Sequence, residues 1–150
     1  MSNPKYAKRL QKELLDLRNS PPTGILIDEA ETFDRWVIGI EGMSGTIYQG
    51  ERFKLQFRFN SSYPLDPPEV IFIGNVPVHP HIYSNGHICL SILYDNWSPA
   101  LTVSSICLSI LSMLSSCTEK TRPADDSFYI ARAVGKSPKD TRWMFHDDKV

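Results

Sequence analysis

The 150-residue sequence lacks an excess of charge of either sign, since 16 lysines and arginines stand against 17 aspartates and glutamates. A protein that mainly binds nucleic acid carries a basic excess for the phosphates, and a polybasic membrane anchor does too. Hydrophobic residues make up 41% and charged residues 22% of the chain, as in ordinary globular domains. We therefore expect one globular domain that binds neither nucleic acid nor membrane.

Cysteine is scarce, and the three that are present, Cys89, Cys107 and Cys117, include no C-x-x-C pair. This count excludes a disulfide framework and a thioredoxin-like redox motif. No apolar run approaches the roughly 20 residues of a membrane span, and the first residues lack the apolar segment of a signal peptide. The expected compartment is reducing, which means cytoplasm or nucleus.

Periodic hydrophobic residues predict a helix followed by strands. Tyr6, Leu10, Leu14 and Leu17 recur at helical spacing, and Pro21–Pro22 ends this helix. Short apolar or alternating segments then predict four strands, at Gly24–Ile27, Trp36–Ile40, Phe53–Phe59 and Val70–Ile73. Short links between them favour an antiparallel meander packed on the first helix, an α+β fold.

Two further helices are predicted after a proline-rich stretch. Thr102 is a plausible N-cap for a long helix, in which Cys107 falls on the apolar stripe. Asp125 or Asp126 is expected to cap a later helix that Gly135 closes.

The sequence pattern after this helix differs from that of the preceding domain. We divide it into a core domain, residues 1–135, and a C-terminal tail, residues 136–150. Ser137–Pro138 offers a helix start within the tail. The aromatic residues Trp143 and Phe145 either fold back on the core or form an adhesive patch on a mobile segment.

Three histidines and a cysteine fall within eleven residues: His79, His81, His87 and Cys89. Imidazole and thiolate are zinc ligands, but the usual C-x2-C partner is missing, so we predict no metal. The alternative is a nucleophilic cysteine, which must be partly exposed to react as its thiolate. Cys89 follows the Asn85–Gly86 turn signal, which can place it on a loop rim.

The order of four motifs resembles the ubiquitin-conjugating enzymes over most of the chain, from about residue 7 to about residue 126. These motifs are Tyr63–Pro68, His79–His81, Asn85–Leu90 and Trp97–Ala100. The resemblance implies the family's fold: an N-terminal helix, a four-stranded antiparallel meander, an active-site loop, and central and C-terminal helices. It also implies that Cys89 accepts ubiquitin from the activating enzyme as a thioester. The activating enzyme consumes the ATP, so no cofactor is expected.

Docking positions follow from the same resemblance. The first helix of the family meets the activating enzyme and ligases, which points to Lys8, Arg9 and Lys12. Two loops of the family bind ligases of the RING or U-box type. The matching residues here are Leu65 and Pro68 in the first loop, and Trp97, Pro99 and Ala100 in the second.

Several site residues depart from the family's usual pattern. His81 stands where the family has an Asn that steadies the loop or the oxyanion formed during aminolysis, and a His can also donate a hydrogen bond. The alternative for His81 is a purely structural role. Ser91 stands where many members carry Asp, while Asp125 and Asp126 resemble the acidic pair that aligns the incoming amine. Asn85 is carried over with the catalytic set.

These departures resemble one subgroup, the W-type enzymes, which share the His-Pro-His motif, the Cys89–Leu93 sequence and a Trp-rich tail. That subgroup attaches ubiquitin to protein N-terminal α-amines, so the expected substrates are proteins with free N-termini and the expected product is monoubiquitinated. Trp143 and Phe145 would guide the substrate backbone. The alternatives are a lysine-directed enzyme for ubiquitin or a related modifier, and a non-catalytic module that binds ubiquitin or ligases.

Overall fold

The computed structural model describes residues 4–145. Three α-helices and four strands follow one another along the chain, with two short 3₁₀ helices at Ser91–Leu93 and Pro138–Asp140. Their bounds are α1 Pro4–Asn19, β1 Ile25–Glu29, β2 Arg35–Glu41, β3 Arg52–Arg58, β4 Glu69–Ile73, α2 Val103–Ser115 and α3 Asp126–Arg132. The predicted α+β class is confirmed.

The strands form one antiparallel sheet in the order β1-β2-β3-β4. Alternation in β3 buries Phe53, Leu55 and Phe57 while Lys54 and Arg58 face solvent. In the middle of the strand Gln56 breaks this alternation: it is buried, and its Oε1 accepts a hydrogen bond from Arg35 Nε at 2.8 Å. The meander expected from the four segments is confirmed.

Helices α1 and α2 share one hydrophobic core with the sheet. The four residues that predicted α1 are all buried in it: Tyr6, Leu10, Leu14 and Leu17. Thr102 caps α2 as expected, because its side chain accepts from the backbone N–H of Ser105. The core therefore confirms both helical patterns.

The carboxylate of Glu13 joins α1 to α2. It is only 7% exposed, and its Oε1 accepts from the backbone N–H of Val103 at 2.7 Å. Its Oε2 accepts from Arg9 Nε at 2.8 Å and from the Tyr63 hydroxyl at 2.6 Å. A buried charge is tolerated only when it is paired and hydrogen-bonded in this way. No sequence pattern predicts this buried role of Glu13, because an acidic side chain in an amphipathic helix normally faces water.

The expected start of α3 is confirmed in position but not in its contacts. Asp125 occupies the N-cap, but its side chain makes no capping hydrogen bond. Both carboxylates at this helix start are engaged by the segment before Cys89, as described below. The helix also ends at Arg132, three residues before Gly135, which adopts φ +73 in the turn that follows.

Candidate active site around Cys89

The chain folds into a tight, irregular loop from His79 to Leu90, which we call the cysteine segment, residues 79–90. Its two arms meet where the backbone N–H of Cys89 donates to the carbonyl of His81 at 2.8 Å. Nearer the tip, Tyr83 N–H donates to the His87 carbonyl at 2.9 Å. Backbone hydrogen bonds therefore hold Cys89 in place, although the segment contains no regular strand.

Gly86 fastens this loop to the sheet. Its carbonyl accepts from the Phe72 N–H at 2.9 Å, and a Cβ on Gly86 would lie 2.1 Å from the Phe72 carbonyl oxygen. Its φ of +92 is also unfavourable for any residue with a side chain. At this position only glycine allows the turn and the close approach together.

The Cys89 thiol is half-buried and unpaired. Burial raises its pKa to about 11, and the negative charge of Asp125 adds to the shift. Cys107, by contrast, is fully buried in the core, as its position on the α2 stripe predicted. Cys117 is also partly exposed, but it lies after α2, where its Sγ donates to the Glu119 carbonyl at 3.2 Å.

His79, the first residue of the cysteine segment, is buried in a single tautomer. Its Nε2 donates to the Met113 carbonyl at 3.2 Å, and its Nδ1 accepts from the His81 N–H at 2.9 Å. The ring is neutral in this arrangement, and burial lowers its pKa to about 4. Both nitrogens are used by the backbone, so neither is directed at a shared metal site.

His87 is likewise occupied within the protein. Its Nδ1 lies 2.7 Å from the Tyr129 hydroxyl, and burial lowers the pKa of the imidazole. Among residues 4–145 no group of three or more potential ligands is arranged to hold a metal ion. The geometry therefore gives the zinc alternative no support.

Asp125 and Asp126 restrain the same segment from α3. The Tyr83 hydroxyl donates to Asp125 Oδ1 at 2.8 Å. Ser84 donates twice to Asp126, from its N–H to Oδ1 and from its hydroxyl to Oδ2, each at 2.8 Å. The structure thus brings both predicted carboxylates to the site, with Asp125 electrostatically coupled to Cys89 and Asp126 acting as a loop anchor.

The remaining predicted catalytic residues, Asn85 and His81, make contacts within the cysteine segment. Asn85 is exposed, and its Oδ1 accepts from the His87 N–H at 3.1 Å in an Asx-type turn. His81 is partly exposed, with its ring centroid 5.7 Å from that of His79. Its main-chain groups bond both His79 and Cys89, so this residue links the buried imidazole to the nucleophile.

Arg122 is a structural residue of the site that escaped prediction. Its Nη1 donates to the Pro77 carbonyl at 2.8 Å, in the loop before the cysteine segment, and to the Ile82 carbonyl at 3.3 Å, within that segment. Nη2 donates to the Val76 carbonyl at 3.3 Å. A lone arginine in a polar stretch carries no sequence signal for such a role.

The two predicted ligase loops lie side by side. Trp97 Nε1 donates to the Pro64 carbonyl at 2.8 Å and thereby ties the second loop to the first. Leu65 is 80% exposed, and Pro99 and Ala100 are exposed too. Pro68 differs from the other residues predicted to contact ligases, because it is buried. Its side chain therefore packs inside the loop.

The basic residues of α1 fall into two groups. Lys8 and Lys12 are exposed. Arg9 instead pairs with Glu13 and donates from Nη2 to the Leu101 carbonyl at 2.7 Å. This contact joins α1 to the chain directly after Ala100, so part of the Arg9 guanidinium is engaged in contacts within the protein.

Residues 136–145 lie against α3 and the cysteine segment. The Trp143 indole is half-buried, with centroid distances of 5.1 Å to Tyr94, 5.5 Å to Tyr129 and 5.9 Å to Tyr83. Phe145 is partly buried. The last five residues of the predicted tail, 146–150, lie outside the described residues, and the division at residue 135 stays a prediction.

Comparison with known proteins identifies this arrangement. The sequence matches the ubiquitin-conjugating enzyme family over residues 9–143. A probable ubiquitin-conjugating enzyme E2 W from Dictyostelium discoideum is 73% identical, covering 97% of this chain and 98% of its own. A probable ubiquitin-conjugating enzyme E2 W-A from Danio rerio is 59% identical, covering 94% and 95%. The solved structure of ubiquitin-conjugating enzyme E2 UbcA1 from Agrocybe aegerita superposes with a TM-score of 0.85 at 46% identity, covering 89% of this chain and 98% of its own.

The chain belongs to the ubiquitin-conjugating enzyme family and is a transferase of that class. The predicted resemblance to the W-type enzymes is confirmed by relatives of that name, which match almost end to end. Family membership implies ubiquitin, the activating enzyme and ligases as partners. Among the helices formed by residues 4–145, none has the length and apolar character needed to cross a bilayer.

Proposed function

We propose that this enzyme carries ubiquitin as a thioester on Cys89. The Cys89 thiolate attacks the carbonyl of the ubiquitin thioester on the activating enzyme, whose own thiolate leaves. An amine then attacks the new thioester carbonyl, an amide forms, and the Cys89 thiolate departs. The observation that carries the proposal is a partly exposed thiol on a loop that backbone hydrogen bonds immobilise, since a fixed reacting group favours transfer.

A charging assay tests this assignment. Mixed with activating enzyme, ATP and ubiquitin, the protein should form a thiol-sensitive adduct. Cys89→Ala should abolish the adduct, and Cys89→Ser should convert it to a thiol-resistant ester. Cys117→Ala is the matched control, because this thiol is also partly exposed. An adduct that survives Cys89→Ala but is lost in another cysteine variant contradicts the assignment.

We further propose that the acceptor is the N-terminal α-amine of a protein and that one ubiquitin is added. An α-amine has a pKa of about 7.7–8.0 and lysine one near 10.4. At pH 7 roughly one α-amine in ten is therefore unprotonated, against roughly one lysine in a few thousand. An α-amine needs less help from a general base.

The surroundings of Cys89 support this preference. Ser91, which replaces the common Asp, is neutral and buried. The carboxylates of Asp125 and Asp126 already accept hydrogen bonds from Tyr83 and Ser84. Because both aspartates already accept hydrogen bonds, they are less available to accept a proton from a lysine amine.

Acceptor proteins with free and acetylated N-termini separate the possibilities. Pre-charged enzyme should transfer one ubiquitin to a free N-terminus and fail with the acetylated protein. A variant of the acceptor without lysines should remain a substrate. Equal transfer to acetylated acceptor contradicts the proposal and favours the lysine-directed alternative, for ubiquitin or a related modifier. A protein that cannot be charged at all would instead be a non-catalytic binding module.

Partner contacts are assigned to the exposed members of the predicted sets. Lys8 and Lys12 would meet the activating enzyme, while Leu65, Pro99 and Ala100 would meet RING or U-box ligases. Trp97, Arg9 and Pro68 support these surfaces through internal contacts. A cytoplasmic or nuclear location suits both the thiol chemistry and these partners.

The predicted substrate-guiding role of Trp143 and Phe145 can be examined by truncation after Gly135. We expect slower transfer to protein with charging of Cys89 retained. Because the Trp143 ring packs against Tyr94 and Tyr129, the same truncation also removes these contacts. Loss of charging would therefore mean that the segment is structural.

A further inference from the structure

The 3₁₀ helix Pro138–Asp140 and the residues around it connect two functional regions that are far apart in sequence. We call residues 137–143 the C-terminal brace. At one end of the brace Lys139 Nζ lies 2.7 Å from Asp66 Oδ2 and donates to the Pro67 carbonyl at 2.9 Å. Asp66 directly follows the exposed Leu65, so this end is attached to the proposed ligase loop.

The other end of the brace reaches the cysteine segment by two routes. In the first, the Thr141 hydroxyl lies 2.9 Å from the Tyr129 hydroxyl, which lies 2.7 Å from His87 Nδ1. In the second, the Trp143 ring stacks on Tyr94 with centroids 5.1 Å apart. The Tyr94 hydroxyl donates to the carbonyl of Ile88 at 2.6 Å, one residue before Cys89.

The attachment at Lys139 is well formed. The Lys139 side chain is 25% exposed, and its ammonium has two oxygen partners. Its hydrogen bond is the main reason why the pKa of Asp66 lies below its ordinary value, and Asn60 adds a second bond at 2.6 Å. Because Lys139 lies two residues before Thr141 and four before Trp143, loss of this pair would weaken the contacts of Thr141 and Trp143 with their partners.

We propose that Lys139 is a positioning residue for the transfer step: it fastens the brace to the ligase loop and thereby keeps Tyr129 and Tyr94 seated against the cysteine segment. This inference rests on the proposed function, that is, on the thioester at Cys89 and its transfer to an α-amine. It assigns no contact between Lys139 and ubiquitin or the acceptor. A firmly seated segment shortens the search for the reactive geometry, so release of the brace should slow aminolysis.

Single-turnover discharge without a ligase provides the test. The enzyme is charged with ubiquitin, charging is stopped by chelating magnesium, and a peptide with a free N-terminus is added at several concentrations. Lys139→Met should form the thioester normally and discharge it about three- to fivefold more slowly, as expected for loss of one partly exposed ion pair. The loss should lie in the maximal rate and not in the peptide concentration at half-maximal rate.

Two further variants and one control sharpen this test. Lys139→Arg should discharge almost normally, and the exchanged pair Lys139→Asp with Asp66→Lys should discharge faster than either single variant. Lys136→Met removes an exposed charge from the same part of the chain and should change nothing. The indole N–H resonance of Trp143, which donates to the Pro138 carbonyl at 2.9 Å, reports whether the brace is seated.

The outcomes separate the two proposals. If the unmodified protein forms no thioester on Cys89, the proposed function fails before the brace is tested. Discharge of Lys139→Met at the unmodified rate, or faster, overturns the positioning role whatever the Trp143 resonance does. Equal slowing of charging and discharge also overturns it, because that result indicates a general loss of structure.

Discussion

The cysteine segment and the ligase loops are both proline-containing and irregular, but they are built in opposite ways. In the cysteine segment His79 and His87 are buried, and their rings have hydrogen-bond partners inside the protein. In the ligase loops, Leu65 and Pro99 project into solvent, and internal bonds such as that of Trp97 hold only the frame. The cysteine segment therefore has a fixed geometry, and the ligase loops leave apolar side chains exposed.

This difference predicts how substitutions should act. Changes in the cysteine segment should cost folding stability together with activity, because its polar groups are satisfied inside the protein. Changes at the tips of the ligase loops should leave stability almost unchanged.

Gly86→Ala should be the most damaging. The added methyl would lie 2.1 Å from the Phe72 carbonyl oxygen, at a φ of +92. We expect a loss of at least about 3 kcal/mol in the free energy of unfolding, measured by urea denaturation. Gly45→Ala is the matched control, since its φ is +82 but nothing lies within 4 Å of the new methyl. The control should lose about 1 kcal/mol, and equal losses would contradict the close approach at Gly86.

His79 should make the cysteine segment sensitive to acid. Its pKa in the folded protein is about 4, below the ordinary value of 6.5, so the unfolded chain binds the proton more tightly. Its contribution to stability is complete above pH 6.5 and is lost as the pH falls towards 4, a change of up to about 3 kcal/mol.

Comparison with His79→Gln isolates this contribution from the titration of carboxylates. Gln cannot gain a proton, and its amide can still donate to the Met113 carbonyl. The difference in unfolding free energy between the two proteins, measured in urea, should therefore shrink between pH 7 and pH 4.5. Parallel pH curves would show that His79 does not titrate in this way.

Asp125→Asn should alter reactivity more than stability. The carboxylate is the second cause, after burial, of the raised pKa of Cys89, and an Asn oxygen can still accept from the Tyr83 hydroxyl. A lower pKa gives more thiolate, so alkylation of Cys89 by iodoacetamide at pH 8.5 should become about two- to threefold faster. Cys117 in the same sample is the internal reference, followed by mass spectrometry; a slower reaction at Cys89 would contradict the electrostatic coupling.

Sequence patterns predicted the parts of this molecule that depend on local periodicity or motif. Short apolar or alternating segments located all four strands, and Thr102 marked the start of α2. The motif around Cys89 located the nucleophile candidate and the turn that carries it. Each of these signals lies within a few residues of the feature it predicts.

The anchors of the site could not be predicted because their partners are distant in the chain. Glu13 bonds the backbone of a residue 90 positions later, and Lys139 pairs with a residue 73 positions earlier. Asp125 and Asp126 were expected to cap α3 and to belong to the site, but not to bond the loop before Cys89. Their partners Tyr83 and Ser84 became visible only in the folded chain.

Leu65→Ala should have the smallest effect on stability and so complete the comparison with Gly86. Leu65 is 80% exposed, so its truncation should change the unfolding free energy by less than about 0.5 kcal/mol. If Leu65 is a ligase contact, stimulation of transfer by RING or U-box ligases should fall sharply in the same variant. Leu26→Ala is the matched control, because this leucine is 69% exposed on β1 and away from the two loops. Equal loss of ligase stimulation in both variants would mean that the effect does not depend on the ligase loop. A large loss of unfolding free energy in Leu65→Ala would contradict the expected difference in stability between the ligase loops and the cysteine segment.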